Sequence, residues 1–267
     1  MITRQSAFSR LANRPLALEK RAADAVFAAI ETSASVYDDI ERDYDRPFGL
    51  IEGVAVIPVK GALTQDSNWW FGGTTYNHIR TGFQAAMLAS DVDAIVLDID
   101  SPGGEVAGCF DLVDEIYSAR ARKPVWAILN ENAFSAGYAL ASAAERIVVP
   151  RTGGVGSIGV MCMHVDFSKA LSGAGVAVTY IQYGDRKTDG APEKPLADEA
   201  RARIQADIDA MGELFVETVA RNRNLTVAKV RATEAATYRA DSGVSLGLAD
   251  AVMAPDAAFR ELISTLA

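Results

Sequence analysis

Hydrophobic residues in this chain fall into two rhythms. Short runs rich in β-branched residues read as strands: Val54-Ala-Val-Ile-Pro-Val-Lys, Asp93-Ala-Ile-Val-Leu-Asp-Ile-Asp, Pro124-Val-Trp-Ala-Ile-Leu and Ile147-Val-Val-Pro. Runs this apolar belong to a sheet buried on both faces, as parallel sheets are. Between them, Tyr76–Ala89, Glu105–Arg120 and Ala136–Ala144 read as helices. Strand and helix alternate three times between 54 and 145, which predicts βαβ units, an α/β class and a mostly parallel sheet. Pro58 places the first strand at an edge or a bulge. An apolar run through His164 and the run Ala177–Gln182 are predicted as further strands.

The ends of the chain are predicted helical. A long helix spans Ala197–Arg223, with Ile204, Ile208, Met211, Leu214, Phe215 and Val219 at three- and four-residue spacing. Thr226 caps a short helix through Ala232, Gly243–Val252 forms a turn with a short strand or helix, and Asp256–Leu266 is helical. At the other end, residues 1–16 form a polar arm and Ala17–Thr32 an amphipathic helix (Leu18, Ala22, Val26, Ile30). The charged stretch Asp38–Arg46 is a linker closing on Pro47. Two units follow: a helical arm and linker, 1–46, and a main domain, 47–267. Trp69-Trp70-Phe71 lies in a loop, as a subunit or substrate contact or packed on its own domain.

Composition narrows the classes. At 267 residues, 49% hydrophobic and 23% charged, the chain can bury a full core. A net charge of −9 argues against a nucleic-acid surface. Two cysteines, Cys109 and Cys162, give no disulfide framework and suit a reducing compartment. With two histidines and no Cys/His cluster, neither a metal site nor a cofactor is expected. No apolar stretch reaches the roughly 20 residues that cross a bilayer, and the start has no uninterrupted apolar core of a secretory signal. The expectation is a soluble, cytoplasmic protein.

The candidate chemistry gathers where strands end. Ser135, in Asn132-Ala-Phe-Ser-Ala-Gly-Tyr, falls at a strand-to-helix turn, where unpaired N–H groups and the dipole favour negative charge. N-capping is the commoner use of a serine there. Ser101-Pro-Gly-Gly supplies a second glycine turn at a strand end. The amides of Gly103 or Gly104, with that of Ala136, suit an oxyanion hole and therefore acyl transfer. No Gly-Lys-Ser/Thr follows, so a phosphate-binding P-loop is excluded. A serine nucleophile needs a base. His78, His164 and Lys187 are the candidates, and residue physics alone does not choose among them. A lysine serves only when neutral, and at its ordinary pKa of about 10.4 that is under one molecule in a thousand at pH 7.

Taken in order, Ser101-Pro-Gly-Gly, Asn132-Ala-Phe-Ser-Ala-Gly-Tyr, Gly156-Ser-Ile-Gly-Val and Gly184-Asp-Arg-Lys-Thr-Asp-Gly resemble the signal-peptide-peptidase-A family of serine peptidases. The Asn13-Arg-Pro-Leu start, the run from Gly159 through His164-Val-Asp-Phe-Ser-Lys and Pro195-Leu-Ala-Asp-Glu-Ala-Arg resemble its phage branch of capsid-assembly (prohead) proteases. The resemblance spans nearly the whole chain. It implies a crotonase/Clp-like fold and a Ser–Lys dyad, with Ser135 as nucleophile and Lys187 as general base. By the same likeness Gly103, Gly104 and Ala136 form the oxyanion hole, and Ser157 is a supporting residue that orients the lysine. It further implies a homo-oligomeric ring acting on capsid or scaffold polypeptides, while charge and hydropathy predict no nucleic-acid or membrane partner. No segment like the signal and membrane anchor of the cellular members, or the long scaffold-like tail of some phage members, is expected in this chain. Three other readings stay open: a Clp-like Ser–His–Asp peptidase using His164, an acyl-CoA-processing crotonase relative, and an inactive assembly scaffold.

Overall fold

A computed structural model of the chain describes residues 46–66 and 73–266 and, as backbone, Leu16–Leu18. Its centre is a sheet of nine strands in which β3 (Val54–Leu63), β4 (Ala94–Glu105), β5 (Val125–Phe134), β6 (Arg146–Val149) and β9 (Ala251–Val252) run parallel side by side. The outer β2 (Gly49–Ile51) lies antiparallel on Val54–Val56. It stops short of Pro58, so the edge position predicted for that proline holds. The α/β, mostly parallel expectation holds as well.

Two-residue alternation along β4 sorts its side chains between two cores. Ile95, Leu97 and Ile99 enter the larger core, under α1 (Tyr76–Leu88), α2 (Cys109–Ala119) and α3 (Ala136–Ser142). Ala94 and Val96 face the other way, with Trp126, Ile128, Val148 and Leu262. There they are covered by α8 (Pro255–Leu266), which buries Ala258 and Leu262. Each fully buried Leu or Ile contributes about 1.5–3 kcal/mol, so apolar positions at period two are enough to hold helices on both faces. Thr75 caps α1 by accepting from the His78 amide, and Thr226 caps α6 (Val227–Arg231) by accepting from Lys229, the second as its sequence predicts.

Several expectations are corrected. Ser101-Pro-Gly-Gly is not a turn after the strand: β4 runs on through it to Glu105, with its register on β5 shifting between Ile99 and Ser101. β5 likewise continues to Phe134 and changes partners on the way, pairing with β6 at Trp126–Ile128 and with β7 (Gly154–Gly156) at Asn132–Phe134. The run through His164 is irregular rather than a strand. It lies along the first half of α5 (Asp198–Arg223), enclosing with Leu196, Ile204 and Ile208 a cavity of about 340 Å³. Ala177–Gln182 is no strand either. Among the described residues no strand pairs with it, and Val176, Val178, Tyr180, Ile181 and Tyr183 are exposed.

The helix predicted from Ala17 is contradicted at its start. Leu16–Leu18 form β1, antiparallel to the end of β4; the rest of that helix, the arm and most of the linker lie outside the described residues, as does the Trp69-Trp70-Phe71 loop. The short α4 (Ser168–Gly173), β8 (Thr237–Arg239), which pairs with β7, and α7 (Ala240–Ser245) had no distinct sequence signal.

Candidate active site

Ser135 sits where β5 becomes α3, between two neighbouring strands. Ala133 pairs with Ser101 of β4 on one side and with Val155 of β7 on the other. The serine takes φ 52° and ψ −121°, values of the first central residue of a type II′ turn, which non-glycine residues seldom adopt. Its backbone is fixed at both ends: the amide donates to Gly156 O (2.9 Å) and the carbonyl accepts from the Ala139 amide (2.9 Å). The hydroxyl makes no capping bond to the helix. It donates instead to Gly159 O over 3.4 Å, a long and weak contact. Ser135 is thus an N-cap by position only, and its hydroxyl is not consumed in holding the helix.

The helix it opens is short, uncapped by its side chain and wholly buried. Seven residues do not hold a helix alone, so packing supplies the stability. Small residues allow that packing: a Cβ on Gly137 would stand 3.0 Å from Ser101 Cβ. Beneath it, Cys109 Sγ lies 4.0 Å from Ala136 O. Burial pushes the Cys109 thiol up to about 12 and raises Tyr76 well above the usual phenol range. Tyr76 donates its hydroxyl to Glu105 O (2.6 Å), tying α1 to the end of β4. Beneath the helix, then, both groups are buried and held in their neutral forms. As the first helical residue, Ala136 has no carbonyl one turn back for its amide.

Gly103 and Gly104 lie in β4 beyond Ser101. Gly104 must be glycine, because a Cβ there would fall 1.8 Å from Leu63 O. Ser101, not singled out from the sequence, governs this corner. Its hydroxyl donates to Gly61 O (2.7 Å) and accepts the Gly103 amide (3.1 Å). An oxyanion at Gly103 would compete with Ser101 for that amide. The legible signal was a serine two residues before a glycine, the spacing of a local side-chain-to-amide turn.

Gly156–Gly159 wraps the outer side of Ser135. Gly156 has φ 112°, and a Cβ would come within 2.6 Å of Ala236 O. Ser157 also has positive φ (56°), is nearly buried and donates its amide to Ala236 O (2.9 Å). Ser135, Ala136 and Ser157 therefore share one strand end, and Gly103 and Gly104 follow Ser101, which lies opposite Ala133 on the neighbouring strand.

Lys187 stands apart from them. It belongs to a single 3-10 turn, Asp185–Thr188, and is exposed. Among the described residues no hydrogen bond or ion pair joins its amine to Ser135. The turn itself is anchored: Thr188 is buried and accepts from Lys194 Nζ (2.6 Å), and Arg203 of α5 grips Asp189 (2.7 Å). His164 is half-buried against α5, and His78 is exposed on α1. Among the described residues no hydrogen bond joins either to Ser135.

No helix of the described residues is long and apolar enough to cross a membrane. The model of peptidase family S49 matches residues 118–266. The chain is 44% identical over 208 residues to the head-tail preconnector protein GP5 of Enterobacteria phage P21, covering 77% of this chain and 42% of that protein. It is 41% identical over 225 residues to the capsid assembly protease C of Escherichia phage lambda, covering 83% and 51%. A more distant likeness, 30% over 161 residues, covering 60% and 24%, is to the chloroplastic serine protease SPPA of Arabidopsis thaliana. The chain spans about half the length of these two phage proteins. The match covers more than half of the chain and includes Ser135, Ser157 and Lys187, and the mixed α/β sheet agrees with a Clp/crotonase-like fold: the chain belongs to peptidase family S49.

Proposed function

We propose that this chain is a serine endopeptidase that cuts capsid or scaffold polypeptides during virion assembly, with Ser135 as nucleophile and Lys187 as general base. The observation that carries the reading is the backbone of Ser135: a non-glycine residue held at φ 52° on a strand-to-helix turn, its hydroxyl left uncapped. Such geometry is retained where the surroundings over-determine it, and it marks functional positions.

In this reading the Lys187 amine, neutral when it acts, takes the Ser135 proton as Oγ attacks the peptide carbonyl. The Ala136 amide and the Gly103–Gly104 backbone receive the oxyanion at the helix N-terminus. The protonated amine then gives its proton to the leaving nitrogen, and water releases the acyl group by the same route. Ser157 orients the lysine.

A neutral amine requires removal from water, and in a single chain Lys187 is exposed. Assembly of copies supplies the burial. The uncovered apolar run 176–183 immediately precedes the lysine turn, with Ile181 99% and Tyr183 101% exposed. A neighbour covering that run desolvates the turn next to it, which supports a homo-oligomer as the active form. The names of the two phage relatives support virion proteins as substrates.

The test is mass spectrometry of capsid and scaffold proteins incubated with the wild-type chain, Ser135→Ala and Lys187→Ala. Defined cleavages lost in both variants are expected. Cleavage that survives Ser135→Ala refutes the assignment.

A further inference from the structure

Past Ile99, β4 has two edges, and both are occupied. β3 holds one, with Ala62 opposite Gly103 and Leu63 opposite Gly104. β5 holds the other as far as Ser101, opposite Ala133; it then ends at Phe134, and the chain turns away at Ser135. The edge vacated by β5 would leave Gly103–Glu105 open beside Ser135. β1 takes that place, antiparallel, with Leu16 opposite Glu105, Ala17 opposite Gly104 and Leu18 opposite Gly103.

An extended peptide reaches such a site by adding a strand to a free edge, where main-chain hydrogen bonds position it. The edge beside the serine and the Gly103–Gly104 backbone cannot hold β1 and another strand together. We infer that Leu16–Leu18 is a built-in competitor: the chain's own strand occupies the groove edge where a polypeptide substrate must lie, and its departure opens the site. The inference rests on the acyl-transfer reading of Ser135. The strand belongs to the same chain, so it competes as an intramolecular segment rather than at the bulk concentration of a free peptide. Pairing over three residues is weak, so a longer substrate strand displaces it. The restraint therefore slows cleavage of poor substrates more than of good ones.

The test uses the full chain and a fluorophosphonate probe for reactive serines. Leu16→Cys with Glu105→Cys places two thiols at directly opposed antiparallel positions, whose Cα separation of about 4.5–5.5 Å falls within the disulfide range. Oxidation locks β1 in place and reduction frees it. The reduced chain is expected to label at Ser135 about tenfold faster than the oxidised one, the factor that corresponds to about 1.4 kcal/mol. A second variant needs no cross-link: Leu16→Pro, Ala17→Pro and Leu18→Pro together remove every strand donor and should label several-fold faster than wild type. Equal labelling of oxidised and reduced chains, or a triple variant no faster than wild type, overturns the competitor while leaving Ser135 a nucleophile. If Ser135 labels in no form, the acyl-transfer reading falls and the inference falls with it.

Discussion

The backbone of Ser135 separates stability from chemistry in a way two substitutions can measure. Ser135→Ala deletes the hydroxyl but keeps a Cβ at φ 52°. The lost contact to Gly159 O is 3.4 Å long, so its removal should change stability little. Ser135→Gly removes the hydroxyl and the strain. A non-glycine residue in a sparsely populated region is destabilised by about 1–3 kcal/mol. Glycine's greater freedom in the unfolded chain takes back about 0.4–1 kcal/mol, and it is a better N-cap than alanine. The glycine variant should therefore exceed the alanine variant by about 0.5–2 kcal/mol. For a domain of this size that is about 2–6 °C in Tm. Paired urea and thermal melts, with probe labelling on the same samples, give both readouts. Neither variant should label, and the glycine variant should melt above wild type. A glycine variant equal to or below the alanine variant would refute the claim that the turn is strained.

Four further outcomes follow from the same geometry. Gly104→Ala drives a Cβ to within 1.8 Å of Leu63 O, against backbone that has no room to give, and should destabilise by roughly 3 kcal/mol or more in a denaturant titration. Lys187→Met alters an exposed side chain and should leave the melting curve within about 0.5 kcal/mol of wild type, while kcat/KM falls by about 10²-fold or more. Ile181→Asp places a charge on a fully uncovered apolar position; analytical ultracentrifugation should show smaller assemblies, with far-UV circular dichroism unchanged. Burial raises both thiols, Cys109 to about 12. Because the thiolate is the reactive form, a raised pKa means less of it at pH 8. Alkylation followed by mass spectrometry should find the half-buried Cys162 modified first and Cys109 only after unfolding.

Much of this architecture was legible because it depends on local periodicity. The apolar runs at 94–99 and 125–129 had one way to be buried, and the sheet and its flanking helices follow. The motif glycines and Ser135 were legible as neighbours at strand ends: Ser101 lies opposite Ala133, and Gly156 accepts the Ser135 amide. What escaped depends on partners remote in sequence. Ser101-Pro-Gly-Gly reads as a turn by composition, yet β3 on one side and β1 on the other keep it extended. Ala177–Gln182 has strand composition without a strand partner among the described residues. Ala17 and Leu18 fit a helical stripe, but a neighbouring edge draws them into a strand. The positive φ of Ser135 is imposed by Gly156 and Ala139, which no local pattern encodes.

The divided pairing of β5 has a consequence for how the molecule opens. Its lower half is clamped between β4 and β6, with Ala127 and Leu129 completely enclosed. Its upper half loses β6 and is held by β4 at Ser101 and by the three-residue β7, which pairs in turn with the equally short β8. Breathing should therefore begin at the rim and stop at the fork, as local openings of low free energy do. The rim can loosen while the foundation beneath it stays folded.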